Sequence, residues 1–422
     1  YSVHSNLQLV YFPSQNITIS DNCFQGQLRA VIYFDGDNSY SPSYSFQDKI
    51  GNVSDSSDLD FIYDSENLKF GFHCKTKVFQ NVKFLNSTST DSTKYILYDQ
   101  GLNDGSSSDN CTYLLYEDGG KKKAILTKYR FNMNDRTDGT KLIVTVPETV
   151  SVNGSEYTVT EIADGAFENC DGYTKNSAVR TISSITLPDT IEKIGNYAFF
   201  RLVGLESINM PSSLKSIGEL AFAFTGIQKI ENLNSDVDFL DSTGKSIFGN
   251  LAKSSPFLNC PNLESVSLLG VKDSSKIKVS DGRCLVDSSN AILTIFPKYN
   301  GTNKTFEGGK FYYGAYKTVG WIDNLAISQS DFPTSGTSTL SQSLFVGFVS
   351  QKDIRKNLTF KGRITSITGT DDDHSFPIKI LTLKVDNGAL AIPPDSFANT
   401  KIEVIRIPYS NGGTIPSNLL KG

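Results

Sequence analysis

Residues suited to catalysis or metal binding are few in this chain. Its 422 residues contain three histidines, His4, His73 and His374, and none lies in a His-Glu-x-x-His or comparable metal-binding pattern. No Gly-x-Ser-x-Gly nucleophile turn, phosphate-binding glycine loop or nucleotide fingerprint occurs either. We therefore expect a protein that is not an enzyme and that holds no cofactor and no metal.

Two acidic stretches imitate cation sites and are better explained as exposed loops. Residues 371–374, Asp-Asp-Asp-His, offer the hard oxygen ligands that such sites use. The stretch from Asp35 opens like a calcium loop, but Tyr40 and Phe46 stand where the loop requires glycine and glutamate. Carboxylate pairs for glycoside hydrolysis have no fixed sequence spacing, so a glycoside-acting enzyme in residues 1–110 stays an alternative.

The chain is organised around a repeat of 23 residues. Residues 185–199 and 208–222 show the same order: a short apolar strand, a proline, an Ile-Gly pair and an Ala-Phe pair. A period of this length is typical of stacked repeats, because one copy has too little apolar surface to fold alone. We expect the prolines to end the strands. We also expect Gly195 and Gly218 to adopt a backbone conformation that other residues resist.

Less regular copies precede and follow these two, at 161–170, 256–268 and 391–408. Cys170 and Cys260 occupy one position of the template, where we expect small core residues. The recurring phenylalanines predict one buried stack made of Phe167, Phe199, Phe222, Phe257 and Phe397.

These residues resemble the BspA-like leucine-rich repeats of bacterial and protist surface proteins. The resemblance covers residues 157–268 and 380–410, and it implies a curved solenoid. It also implies a β-rich cap over residues 111–160 and a β-hairpin insert near 281–297. The family is adhesive, so the resemblance implies binding to a protein or glycan on a host or neighbouring cell surface.

The predicted fold class is mainly β with short helical turns: a curved leucine-rich-repeat solenoid preceded by a small β domain. Residues 1–110 contain short aromatic and β-branched runs between polar turns, which is typical of a small sandwich or meander. The cap at 111–160 follows, and residues 161–422 form the array. Residues 281–356 are an insert or degenerate repeats. Within them, residues 301–356 are either degenerate repeats, with Tyr316 in place of phenylalanine, or an inserted loop with Tyr and Trp contacts.

Composition is that of an ordinary folded protein and leans towards β structure. A net charge of -5 and a pI near 5.4 argue against a nucleic-acid partner, and the lysine run at 121–123 is expected at a hairpin tip. No apolar run approaches the roughly 20 residues that cross a bilayer. Tyr1 is expected to begin a mature, secreted or cell-surface form. One disulfide between two of Cys23, Cys74 and Cys111 is possible, and the third thiol would then stay free.

The outward strand positions of the array are the candidate binding residues. In a stacked array they form one shallow concave sheet, and their small polar character suits a broad contact better than a catalytic cleft. A glycan-binding module in residues 1–110, with the repeats as a spacer, is one alternative, and a purely structural role, such as a spacer in a surface layer, is another. The candidate contacts are Thr186, Asn209, Lys229, Glu231, Ser267 and Arg406.

Overall fold

The chain is almost wholly β in the part that the structure describes. The computed structural model describes residues 9–12, 31–34, 43–46, 72–75, 77–79, 82–85, 95–103, 110–130, 141–167, 181–251, 253–306, 310–312, 314–315, 319, 321–322, 324–328, 339–341, 355–361, 366–368, 378–384 and 404–406. Within these ranges the only helix is α1 (Gln100–Asn103). The mainly β prediction is therefore confirmed.

Short strands follow one another along the whole chain. Those of the amino-terminal part and the cap are β1 (Leu9–Phe12), β2 (Val31–Phe34), β3 (Ser43–Phe46), β4 (Phe72–Lys75), β5 (Lys77–Phe79), β6 (Val82–Phe84), β7 (Tyr95–Asp99), β8 (Asn110–Asp118), β9 (Lys121–Arg130), β10 (Lys141–Thr145), β11 (Thr149–Val152) and β12 (Ser155–Ile162). Those that follow are β13 (Thr181–Thr186), β14 (Lys193–Ile194), β15 (Ser207–Ile208), β16 (Ser216–Ile217), β17 (Lys229–Asn234), β18 (Asp238–Phe239), β19 (Ser265–Leu269), β20 (Ile277–Ser280), β21 (Cys284–Asp287), β22 (Ile292–Ile295), β23 (Thr305–Phe306), β24 (Asn324–Ser328), β25 (Thr339–Ser341), β26 (Arg355–Lys361), β27 (Ser366–Thr368), β28 (Ile378–Lys384) and β29 (Val404–Arg406).

One long sheet joins the cap to the repeats. Its order is β18-β16-β14-β12-β9-β8-β7-β6, with β11 paired to β12. From β9 to β18 the strands are parallel, and Ile162, Ile194, Ile217 and Phe239 align in register as fully buried residues. The sheet also contains β6 and β7, which precede the predicted domain boundary at residue 110. That boundary stays a prediction.

A second set of parallel strands lies across the repeats, and we call it the repeat sheet: β10, β13, β15, β17 and β19. β13 pairs with both β10 and β15, and β17 pairs with β19. The Gln228 amide donates to the Glu206 carbonyl at 3.2 Å and so links the two groups. Ile185, Ile208 and Ile230 point to the core because alternate side chains of a strand face opposite sides.

A stack of aromatic rings runs through the core. Tyr129 begins it, and successive ring centroids lie 5.1, 5.1, 5.0 and 5.3 Å apart with planes 16–25° apart. The phenylalanines are at most 1% exposed, so each copy buries its neighbour's ring, as the sequence predicts. The members after Tyr129 are Phe167, Phe199, Phe222 and Phe257, whereas Phe397 lies outside the described residues.

The glycines of the Ile-Gly pairs are required by close packing between copies, so the expectation of an unusual backbone conformation is wrong. Neither Gly195 nor Gly218 has a positive φ. A Cβ on Gly195 would lie 2.4 Å from the Asp164 amide nitrogen, and one on Gly218 would lie 2.5 Å from that of Asn196. The left-handed positions lie two residues later, at Tyr197 (φ 55°) and its equivalents.

The amino-terminal strands β1, β2 and β5 form a parallel sheet that packs on the long sheet. Val31 and Tyr33 are fully buried against Leu97, Leu114 and Ile125. Residues on both sides of position 110 therefore share one hydrophobic cluster. β3 and β4 form a separate antiparallel pair.

Strands after the regular copies form three further sheets. β20, β21 and β22 are antiparallel, as the resemblance implies for the hairpin near 281–297. β23, β24, β26, β28 and β29 are parallel, the arrangement that degenerate repeats would give, and β25 pairs in parallel with β27. In the described residues no helix is long and apolar enough to span a membrane.

Candidate functional site

The repeat sheet presents one exposed surface, which we call the strand face. Its members alternate along each strand with the buried isoleucines and valines, so their side chains point away from the core. Apart from half-buried Ser184, all of them are exposed. They are Ile143 and Thr145 on β10, Ser184 and Thr186 on β13, Ser207 and Asn209 on and after β15, Lys229 and Glu231 on β17, and Ser265, Ser267 and Leu269 on β19.

The structure brings five of the six candidate contacts together on this face. Thr186, Asn209, Glu231 and Ser267 occupy the same step of successive copies, and Lys229 lies one step earlier on β17. Arg406 ends β29 in a different sheet, and its side chain lies outside the described residues. Whether any of the six contacts a partner stays a prediction.

Two of these five side chains are already used inside the protein. The Asn209 amide accepts from the Leu187 backbone nitrogen at 2.7 Å and donates to the Leu187 carbonyl at 2.8 Å. Pro188 follows Leu187 and has no N–H to donate, so Asn209 completes the pairing by a side chain where the strand ends. Ser267 accepts from the Asn232 backbone nitrogen at 3.0 Å. Both residues thus hold neighbouring copies in register.

The remaining three candidates are available for a ligand. The side chains of Thr186, Lys229 and Glu231 make no hydrogen bond or ion pair within the described part of the chain. Lys229 and Glu231 lie two residues apart on one strand and therefore point the same way. Together with Thr186 on β13 they offer one positive charge, one negative charge and one hydroxyl on the strand face, with β15 between the two charges and the hydroxyl.

Apolar side chains lie at the two edges of the strand face, and the sequence analysis missed them. Ile143 is 74% exposed on β10, and Leu269 is 45% exposed on β19. The sequence analysis did not identify Ile143 because it lies inside an apolar run, although strand alternation turns it outward between half-buried Leu142 and buried Val144.

Charges on the outer surface of the long sheet are paired, as are those of Lys141 and Glu206 at the edge of the repeat sheet, at 2.6 Å. Lys193 bonds Glu161 at 2.7 Å, and Lys215 bonds Glu192 at 2.7 Å. Such pairs between strands contribute little stability at a wet surface. They leave few uncompensated charges for a partner.

The lysine run predicted at a hairpin tip begins directly after the β8–β9 turn at Gly119 and Gly120. Lys123 pairs with Asp118 at 2.7 Å. Lys122 donates to the Ser155 hydroxyl at 2.7 Å and lies 5.7 Å from the centre of the Tyr157 ring. Two of the three lysines are therefore held by neighbouring residues rather than fully solvated.

Titratable groups with shifted pKa values serve local structure. Burial raises the pKa of Glu219. The Thr243 hydroxyl, which donates to Asp241 at 2.7 Å, holds the pKa of that carboxyl well below its usual range. No group of three or more potential metal ligands occurs in the described residues. These contacts assemble neither a nucleophile with its base nor a metal site within that part of the chain.

Three cysteines in the described residues carry buried thiols: Cys111, Cys260 and Cys284. Burial raises the pKa of Cys260 to about 11, which keeps the unreactive thiol form at neutral pH. Its Sγ lies 3.1 Å from the Phe222 carbonyl, in the core position that the template predicts. Cys170, Cys23 and the Cys74 side chain lie outside the described residues.

Comparison with known proteins identifies the repeats. Residues 177–269 match the model of the BspA type leucine rich repeat region in six copies. A leucine rich cell surface protein from Faecalibacterium prausnitzii is 17% identical, with 76% of this chain and 97% of that chain covered and a TM-score of 0.28.

Two further solved structures are similar. A leucine-rich repeat protein from Bacteroides capillosus is 25% identical, with 38% and 94% covered and a TM-score of 0.26. One from Eubacterium ventriosum is 14% identical, with 74% and 85% covered and a TM-score of 0.40. No curated protein sequence matches the chain.

Proposed function

We propose, on the premise that residues 177–269 are BspA-type leucine-rich repeats, that this chain is a non-catalytic interaction protein. It works outside the cell, secreted or held at the cell surface, and binds a macromolecule on a host or neighbouring cell. The strand face is the binding surface. The partner class that the face favours is a protein.

The observation that carries the proposal is the unpaired chemistry at the centre of the strand face. Lys229 and Glu231 are exposed on β17 and Thr186 is exposed on β13, with β15 between them, whereas lysines of the long sheet such as Lys193 and Lys215 have carboxylate partners. A lysine and a carboxylate so close together would normally pair with each other or with neighbours. Left open, they complement a partner that carries both signs, as polypeptides do.

The shape we propose for the array supports a broad contact. Short strands of the repeat sheet stack about 4.8 Å apart, whereas aromatic rings 5.0–5.3 Å apart fill the space behind them. The wider spacing behind the face would curve the array so that the strand face is concave. A curved array of repeats offers an extended surface that wraps part of a partner.

A binding assay on the full chain tests the proposal. The chain is passed over immobilised extracellular-matrix proteins and a glycan array, together with the charge reversals Lys229→Glu and Glu231→Lys. Lys245→Glu is the matched control, because Lys245 is exposed on a turn away from the strand face. We expect each reversal on the face to weaken protein binding at least about tenfold, which corresponds to about 1.4 kcal/mol. The control should bind like the unchanged chain.

Other outcomes of this assay would replace the proposal. Saturable glycan binding that ignores both reversals would favour the amino-terminal glycan-binding module. Turnover of a glycoside panel, lost when an acidic pair is changed, would favour an enzyme. Protein binding that is equally strong in all variants would move the contact away from the strand face.

A further inference from the structure

The first two strands of the chain pair as neighbouring repeats do. β1 and β2 are parallel, with Val10 opposite Ile32, 22 positions later in the sequence. In the regular copies Ile185 lies opposite Ile208, 23 positions later. The step from one strand to the next is therefore almost the period of the array.

Ring stacking between these strands has the same spacing as the ring stack of the array, at a different position of the template. Phe12 and Phe34 have centroids 5.0 Å apart and planes 14° apart. They pack with Val10 and Ile32 on one side of the sheet. In the template, the equivalent positions of the strand before Pro188 are the buried Ile185 and Leu187.

The sequence after β1 follows the repeat template at a constant offset. A proline follows the strand, an isoleucine stands six positions after the proline, and a phenylalanine eleven positions after it. The segment lies outside the described residues, so the comparison here is one of sequence. The matching residues are Pro13, Ile19 and Phe24 in the amino-terminal segment, and Pro188, Ile194 and Phe199 in the array.

Residues just before Phe24 match the first copy of the array in detail. Residues 19–24 read Ile-Ser-Asp-Asn-Cys-Phe, and residues 162–167 read Ile-Ala-Asp-Gly-Ala-Phe. Gly165 has a φ of 58°, and asparagine at the matching position 22 is among the residues that tolerate this region. Cys23 is small like Ala166, which is fully buried.

The amino-terminal segment has serine, not glycine, at the position of Gly195. Gly195 is required because a preceding copy approaches it. Ala163, in the first copy of the array, is preceded by the cap strand β9 rather than by a repeat, and it keeps a side chain. Ser20 stands at this position. The segment departs from the template at Asn16, which replaces the buried Ile191.

We infer that residues 9–34 contain a further copy of the repeat, and that its strand face is a docking surface filled by this chain's own cap. Tyr11 and Tyr33 stand where Thr186 and Asn209 stand in the array. In the array these positions are exposed. In the amino-terminal copy they pack on the outer surface of the long sheet.

Both apolar contacts and a hydrogen bond hold this docking surface against the cap. Val31 and Tyr33 are fully buried with Leu97 and Leu114. The Tyr33 hydroxyl lies 2.8 Å from that of Thr127, 94 residues away in the sequence.

A chain of buried hydrogen bonds continues from this contact into the cap. Thr127 donates to the Thr112 carbonyl at 3.0 Å, and the Thr112 hydroxyl donates to Asp99 at 2.6 Å. Asp99 in turn pairs with Arg130. This buried network favours one orientation of the two sheets, and the Arg130 Nε at its end has no hydrogen-bond partner within the described residues.

This inference changes what the amino-terminal region can do. A repeat whose strand face is closed by the cap cannot present that face to a glycan or a protein. The same surface of one repeat type is then used twice in one chain. It is used once for internal docking, with tyrosines, and once in the array, with small polar residues that stay exposed.

Hydrogen–deuterium exchange on the full chain tests the inference. Phe24→Ala removes the proposed core ring, and Ser14→Ala is the matched control because Asp189, its equivalent, is exposed. We expect Phe24→Ala to speed amide exchange in β1 and β2 by about tenfold or more, through easier local opening. Ser14→Ala should leave it unchanged. Equal exchange in both variants and in the unchanged chain would overturn the inference.

Thiol labelling of the unchanged chain gives a second test that needs no variant to fold. The protein is held in a reducing buffer to keep disulfides open, and labelling is mapped by peptide mass spectrometry. We expect Cys23 to be labelled at least about a hundredfold more slowly than in a synthetic peptide of residues 13–30, because a buried thiol is unreactive. Labelling of Cys23 at the peptide's rate would contradict a copy in which it replaces Ala166.

Discussion

The aromatic stack makes one substitution especially informative. Phe199 is fully buried between Phe167 and Phe222, with ring centroids at 5.1 and 5.0 Å. Phe199→Ala removes a whole ring from a rigid stack and leaves a cavity that the neighbouring copies cannot close. Buried Phe-to-Ala changes cost about 3–5 kcal/mol, and we expect a loss of free energy of unfolding in that range.

Urea and thermal unfolding, followed by the fluorescence of Trp321, the only tryptophan, measure this loss. We expect Tm to fall by about 3–6 °C, since an unfolding entropy of about 2.1 cal/mol/K per residue makes each kcal/mol worth roughly 1 °C in a chain of 422 residues. Phe248→Ala is the comparison, because Phe248 is half-buried and packs beside Phe239 outside the stack. A fall in Tm below about 2 °C for Phe199→Ala, or no larger than for Phe248→Ala, would refute the stacked-ring account.

Three further predictions follow from single contacts. Gly195→Ala should lower the free energy of unfolding by about 1–3 kcal/mol in a urea titration, because its Cβ would meet the Asp164 backbone; an unchanged midpoint would contradict the packing argument. Asn209→Ala should cost about 1–2 kcal/mol in the same titration through two lost hydrogen bonds to Leu187, and a neutral result would show that these bonds contribute nothing. Glu219→Gln should stabilise the protein at neutral pH, because burial raises the pKa of Glu219. The contribution of Glu219 to the free energy of unfolding is complete below the ordinary pKa of 4.5 and is lost as pH rises through the raised pKa. The Tm difference between variant and unchanged chain should therefore grow from pH 4 to pH 7, and a constant difference would refute this.

Local repetition made much of the array predictable. The ring stack and the outward positions follow from one template, because each copy meets the next at the same step and strand alternation fixes which side chains face out. Thr186, Lys229 and Glu231 are exposed as the alternation requires. The same template, read at an offset, also reveals the copy we infer near the amino terminus.

What the sequence did not reveal depends on contacts between distant residues. Gly195 looked like a residue chosen for its backbone freedom, but its role depends on the approach of Asp164 from the preceding copy. The packing of Tyr33 on Thr127 joins residues far apart in the chain. Neither contact leaves a periodic signal in the sequence, so only the folded arrangement shows it.

The sequence predicted where the strand face lies, but not which of its side chains are free to bind a ligand. Asn209 was expected to contact a binding partner, but its side-chain amide forms hydrogen bonds with the backbone of the previous copy. Ile143 was not expected at the surface because it lies inside an apolar run, but strand alternation turns it outward between Leu142 and Val144. Side-chain type and strand alternation do not distinguish a residue that binds a ligand from one that holds neighbouring copies together.

The central claim is that a partner protein binds the strand face. The most direct measurement is hydrogen–deuterium exchange of the full chain with and without the extracellular-matrix protein that binds it best. We predict slower amide exchange at residues 184–186, 207–209, 229–231 and 265–267. Exchange in strands β14 and β16 of the long sheet should be unchanged. Protection confined to residues 9–34, or to 193–194 and 216–217 of the long sheet, would contradict the account.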